Sequence, residues 1–177
     1  AKDHGLWTEV IGEDGSRAEL SFLTTLIGDA HGAGADRGCF ADTVGHASPD
    51  QTHTYVSALA ELGPVSTHTH DDLGLGVMNA LVSIAAGADL VHGTVNGIGE
   101  RAGNVALEEV AIALAHCYDI ETLDLPAIYP LAQVVSAATG IALAPNKAVI
   151  GENAFTHESG IHTDGTLKDD RMYEPYP

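Results

Sequence analysis

One structural unit is written twice in this chain. Ala33-Gly34-Ala35-Asp36 leads through an apolar run to Thr43-Val44-Gly45, and Ala86-Gly87-Ala88-Asp89 leads through another to Thr94-Val95-Asn96-Gly97. A helix end, a strand and a polar turn recur in one order. Strand-like runs at 6–11, 37–41, 62–70 and 90–95 alternate with helical patterns at 17–31, 48–62, 77–86 and 104–115. Ser48-Pro49-Asp50 supplies a helix cap and a proline for the first turn. Parallel strands need crossover connections, so regular αβ alternation implies a parallel sheet. Four such units are half of a (β/α)8 barrel, and a doubly wound open sheet is the competing arrangement. The expected fold class is α/β: half a TIM barrel over 1–120, then a small, mainly helical subdomain over 121–177.

The pattern changes after residue 120. A single helix is expected over 125–139 and a loop at Ala144-Pro145-Asn146-Lys147, while 151–165 carries glycines, histidines and acids with little periodicity. The chain holds 25 Asp and Glu against 7 Lys and Arg, a formal charge of −18. That field repels nucleic acid and anionic membranes, so neither is an expected partner. The acids are spread along the chain, which suits a salt-rich cytoplasm and an ordinary acidic protein equally. Cys39 and Cys117 stand in no metal or redox spacing and read as free thiols in a reducing compartment. With no apolar run of membrane length, a cytoplasmic location is expected. The first residues, Ala1-Lys2-Asp3-His4-Gly5, are not a signal peptide, and the chain reads as an excerpt of a longer protein.

The chemistry gathers around Ser66-Thr67-His68-Thr69-His70-Asp71-Asp72. On a strand, residues i and i+2 share a face, so His68 and His70 converge on one point, as a metal needs. The two acids end the strand and put that point at its C-terminal end, where active sites of parallel α/β folds lie. Asn104, in the next βα loop, is a third candidate, since an amide oxygen suits Mg²⁺ or Mn²⁺ better than a closed structural zinc. Its alternative is a helix N-cap. Gly97-Ile98-Gly99 is no dinucleotide fingerprint, its third glycine being at the wrong spacing, and reads as the turn that brings Asn104 inward. Glu100 and Arg101 could pair within this loop. Glu13 is either a general base or, with Asp14, the start of a helix. Thr43 could bind a substrate carboxylate or simply end a turn, and His162 is an acid/base candidate or a surface histidine.

Three stretches together resemble the family of 2-isopropylmalate, citramalate and homocitrate synthases. They are His68-Thr69-His70-Asp71-Asp72-Leu73-Gly74-Leu75, Asn96-Gly97-Ile98-Gly99-Glu100-Arg101-Ala102-Gly103-Asn104, and the run from Asn153 to His162. Members are TIM barrels that join acetyl-CoA to a 2-oxo acid with a divalent metal. His-x-His with Asp-Thr-Val-Gly alone is similar also to hydroxymethylglutaryl-CoA lyase and biotin-dependent carboxyltransferase domains. The resemblance implies strands 5–8 of the barrel. It makes His68 and His70 ligands of Mg²⁺ or Mn²⁺, with Zn²⁺ an alternative, and puts Asn104 at a further ligand position. It sets Glu13 near the reacting carbon and Thr43 on the substrate carboxylate. His162 and Tyr173 match a pair delivered from the neighbouring subunit, which implies a homodimer with a swapped linker.

Two positions depart from the family pattern: Thr69 stands where cysteine is common, and Ile11 where a small polar residue is usual. The family's Arg-Asp-Gly-Glu motif does not occur here, so the chain alone is expected to have an incomplete metal site and no activity. The implied reaction is condensation of acetyl-CoA with 2-oxoisovalerate, as in leucine biosynthesis. The alternative is (R)-citramalate formation from pyruvate, as in isoleucine biosynthesis. A lyase of the same superfamily and a non-catalytic fragment are the remaining readings.

Overall fold

The computed structural model describes residues 1–169 and 171–176, and divides into two compact units, Ala1–Val110 and Ala111–Pro177. In the first unit four strands alternate with helices: β1 (Glu9–Gly12), α1 (Leu20–Gly32), β2 (Arg37–Asp42), α2 (Pro49–Ala60), β3 (Val65–Thr69), α3 (Gly76–Ala85), β4 (Leu90–His92) and α4 (Leu107–Tyr118). The sheet order is β1-β2-β3-β4 and every pairing is parallel. This is the expected alternation with sequential neighbours, as in a barrel rather than in a doubly wound sheet. The division between units falls within α4 rather than at residue 120.

The repeated Ala-Gly-Ala-Asp has a physical explanation. Gly34 and Gly87 lie at φ +92° and +106°, the left-handed turn that ends the helices before them. The aspartates that follow are anchors. Asp36 accepts from Lys2 and from the Thr8 N–H, and Asp89 takes both ends of the Arg37 guanidinium. Ser48 caps α2 as expected, its Oγ accepting from the Gln51 N–H at 3.2 Å with Pro49 in the first turn. Several boundaries differ from the sequence reading, β3 starting at Val65 rather than 62 and β4 ending at His92 rather than 95. β1 starts at Glu9, leaving Leu6 and Trp7 exposed outside it. α1 starts at Leu20 after a separate 3₁₀ turn, Gly15–Arg17. α4 starts at Leu107, so Asn104 is no helix cap.

Strand parity separates the two faces of the sheet. Phe40 and Val65 face the helices and form the core with Leu23, Ile27, Val56 and Leu59. β2 lies so close to α1 that a Cβ on Gly38 would meet Ile27 Cγ2 at 2.4 Å. The other face carries Glu9, Ile11, Cys39, Ser66, His68 and His92, and the register aligns Ile11 with Cys39 and Ser66, and Ala41 with His68 and His92. Burial pushes the Cys39 thiol up to about 11, whereas Cys117 is exposed. Only thiolates react with Ellman's reagent. The native chain is therefore expected to release one equivalent at pH 8, from Cys117, and a second only on denaturation. Two rapid equivalents from native protein would show that this face opens.

The second unit contains the remainder of α4, α5 (Ile128–Thr139) and α6 (Gly160–Lys168). Ala111, Ile128, Ala132 and Ile150 form its core, and Gly140 at φ +73° closes α5. α6 corrects the expectation of an irregular segment over 151–165. Its periodicity is invisible because Ile161 and Leu167 are exposed and only Gly165 is buried. Among the described residues no helix is long and apolar enough to cross a membrane.

Candidate active site

Three donors meet beyond the C-terminal end of β3. His68 Nε2 lies 3.2 Å from His70 Nε2 and 3.0 Å from the Asn104 side-chain amide. Parity brings the two imidazoles together, and a loop brings the amide. The Asn104 N–H donates to Gly97 O at 3.1 Å, the Asp71 N–H to Gly103 O at 3.0 Å and the Val105 N–H to Thr69 O at 3.1 Å. The loop therefore runs antiparallel along the end of β3, with Asn104 bridged to His70. Its path needs positive φ at Asn96, Gly97, Arg101 and Gly103. Gly99 leaves room for the amide, since a Cβ there would sit 2.0 Å from Asn104 Oδ1.

Burial, then the neighbouring His70 and His92, push the His68 pKa down. His68 is therefore a neutral imidazole with one unprotonated ring nitrogen at neutral pH. Among the described residues no group of three or more His, Cys, Asp and Glu side chains is arranged to hold a metal. The set here is two imidazoles and an amide, which exchanges oxygen for nitrogen by a half-turn of its terminal torsion. That chemistry fits part of a site for a divalent cation, with other positions left to water, substrate or a further protein ligand.

Arg101 holds the rim together. Its Nε and Nη2 donate to Asp72 Oδ1 and Oδ2 at 2.7 and 2.9 Å, and Nη2 also donates to Thr43 O at 2.8 Å and to His70 Nδ1 at 2.8 Å. The partner of Arg101 is thus Asp72 and not the adjacent Glu100, and the guanidinium holds the Asp72 carboxyl below its usual range. Thr43 Oγ1 accepts from the Asp14 N–H at 2.7 Å, which leaves its own proton to donate. Glu13 is exposed in the turn just past β1. His162 and Tyr173 belong to the second unit, where their rings stack with centroids 4.1 Å apart and His157 packs beside both. A mainly apolar cavity of about 380 Å³ in that unit, between Ile112, Leu125, Ile128 and Phe155, includes none of the expected site residues.

Sequence reading missed the layer beneath His68. Glu9 accepts from Ser66 Oγ, and its other oxygen lies 3.3 Å from His92 Nε2, whose ring packs edge-on to His68 with centroids 5.6 Å apart. Parity could have put Ser66 on the face of His68. The pairing of β1 with β2, of β2 with β3 and of β3 with β4, which brings in Glu9 and His92, has no local signal.

A half-barrel of βα units with donors gathered at the C-terminal rim is the arrangement of TIM-barrel enzymes. Solved structures agree on the fold: hydroxymethylglutaryl-CoA lyase from Pseudomonas aeruginosa superposes with a TM-score of 0.71 at 21% identity, over 81% of this chain and 53% of the lyase. The carboxyl transferase domain of Rhizobium etli pyruvate carboxylase gives 0.68 at 19%, over 87% and 28%. Residues 1–135 match the HMGL-like family, and the chain belongs to it. Residues 149–177 match the homocitrate synthase post-HMGL domain-like family. A putative (R)-citramalate synthase of Methanothermobacter thermautotrophicus is 49% identical over 99% of this chain and 36% of its own length. A homocitrate synthase of Methanopyrus kandleri is 47% identical over 99% and 45%. The chain thus spans between a third and a half of these curated relatives, and the resemblance read from its motifs holds.

Proposed function

We propose that this chain is the rim-bearing part of an acyltransferase that condenses acetyl-CoA with a 2-oxo acid, with pyruvate as acceptor and (R)-citramalate as product. The observation that carries the reading is the convergence of His68, His70 and Asn104 beside Thr43. The citramalate synthase relatives favour pyruvate, so the expectation of 2-oxoisovalerate gives way to its alternative. The match over 149–177 favours a synthase over a lyase or carboxyltransferase.

In this reading His68, His70 and Asn104 hold the divalent metal, which when bound polarises the keto group of the acceptor as a Lewis acid. Thr43 Oγ1, its acceptor side already satisfied by Asp14, donates its proton to the acceptor carboxylate. Arg101 fixes the Thr43 main chain and so the direction of that donor. Glu13 stands in the turn just past β1, and in this reading it lies near the reacting carbon. His162 and Tyr173 enter from a second copy through a swapped linker. His162 takes or returns a proton there, and Tyr173 stacked on it holds the ring's direction. A cytoplasmic homodimer accords with this scheme.

The test is release of free CoA by the full-length gene product containing this chain, with Mg²⁺ or Mn²⁺, supplied with acetyl-CoA and either pyruvate or 2-oxoisovalerate. Turnover with pyruvate at least about tenfold above that with 2-oxoisovalerate is expected, the discrimination a few methylenes can impose. Preference for 2-oxoisovalerate would overturn the acceptor, and no release with either would overturn the synthase reading.

A further inference from the structure

We infer that the Arg101–His70 contact and coordination of a metal through His70 Nε2 exclude one another, so that Arg101 is a latch on the site. This rests on the reading of His68 and His70 as ligands. A guanidinium carries N–H donors and no acceptor. Arg101 Nη2 lies 2.8 Å from His70 Nδ1, so Nδ1 presents its lone pair to it. In a neutral ring the proton is then on Nε2, the nitrogen that faces His68 Nε2 at 3.2 Å. His68 Nε2 completes the pattern, its one lone pair shared between that N–H and the Asn104 amino group at 3.0 Å. The donors of the site are thus closed on one another.

A histidine that binds metal through Nε2 carries its proton on Nδ1 and normally gives it to a carboxylate or carbonyl oxygen. At His70 that N–H would point at a guanidinium N–H, donor against donor. The suitable acceptors on this rim are the Asp72 carboxylate and the Thr43 carbonyl oxygen, and Arg101 holds both. Nη2 has two hydrogens but three acceptors within 2.9 Å: His70 Nδ1, Thr43 O and Asp72 Oδ2. The contact to His70 is the one Arg101 can surrender while keeping a carboxylate and a carbonyl. Filling the site moves a proton between the two nitrogens of one neutral ring and turns Arg101 off His70. Because the same Nη2 holds the Thr43 main chain, that turn reaches the residue proposed to bind the acceptor. Arg101 is on this account a positioning residue.

The experiment is titration of the full-length gene product containing this chain with Co²⁺, followed by visible absorption and calorimetry, together with ¹⁵N–¹H correlation spectra of the histidine rings. Arg101→Gln, whose side-chain oxygen can accept from Nδ1–H, is expected to bind Co²⁺ about tenfold more tightly than the wild type, a gain on the scale of one charge-assisted hydrogen bond. Mere structural damage would move affinity the other way. The metal-free wild type is expected to show His70 protonated on Nε2, which tests the latch even where the variant does not fold. Protonation on Nδ1 overturns the inference. So does unchanged or weaker Co²⁺ binding by folded Arg101→Gln when wild-type binding is abolished by His68→Ala, and in that case the metal site itself stands. Absence of Co²⁺ binding by the wild type overturns both.

Discussion

In the full-length gene product, His68→Ala is expected to abolish divalent-metal binding and leave the fold intact. His68 Nε2 is the atom common to the donor set, facing both His70 Nε2 and the Asn104 amide. Its lowered pKa, set by burial and by His70 and His92, keeps its lone pair available at neutral pH. Without it one imidazole and one amide remain of the three donors gathered here, too few to fix a cation on this rim. Loss of an outer partner of a ligand already costs 10–100-fold in affinity, so loss of the ligand itself should exceed about 100-fold. The stability cost should stay within about 1 kcal/mol, because the ring is only partly buried and packs in no apolar core. Co²⁺ titration and urea unfolding of the same sample separate the two quantities. Wild-type affinity in the variant would remove His68 from the site. A collapse of stability with no metal binding in either protein would make it a structural histidine.

Gly103→Ala should produce the largest structural effect of any single methyl group on the rim. Gly103 sits at φ +99°, where L side chains are strained, and a Cβ there would lie 2.0 Å from the Gly97 carbonyl oxygen. That oxygen receives the Asn104 N–H at 3.1 Å, and the Gly103 carbonyl receives the Asp71 N–H at 3.0 Å. The contact is with backbone on both sides, so no flexible side chain can yield. Left-handed strain and overpacking together should cost about 2–4 kcal/mol, read from the urea midpoint. Asn104 should shift with the loop, and Co²⁺ affinity should fall. Gly74→Ala isolates the clash: Gly74 has φ +69° and open space around its Cβ position, so it should lose only about 1 kcal/mol of strain. If both variants unfold at one urea concentration, the loop is not packed as described.

The candidate site was legible where one rule of local geometry was enough. Residues i and i+2 on a strand share a face, so His68 and His70 had to converge. The glycines around Arg101 had to make a turn, and that turn carries Asn104 inward. The repeated Ala-Gly-Ala-Asp announced helix ends that glycines at positive φ then made, and Ser48-Pro49 announced a cap. The fold class followed, because parallel strands in strict alternation with helices admit few arrangements. Other parts were hidden for equally specific reasons. α6 buries only Gly165, so no apolar period marks it. Arg101 pairs with Asp72, 29 residues away, and not with its neighbour Glu100, and no local rule reaches that far.

Sequence alone determined the alternation, the parity of the two histidines and the glycine turns, since each depends on contacts within a few residues. Only the tertiary structure decided that Glu9, Ser66 and His92 form a layer beneath His68. They come from three strands, and their meeting depends on sheet order and register, which local periodicity does not encode. The same holds for the guanidinium that joins Thr43, His70 and Asp72. A hydrogen bond between distant loops exists only once the strands beneath them are paired.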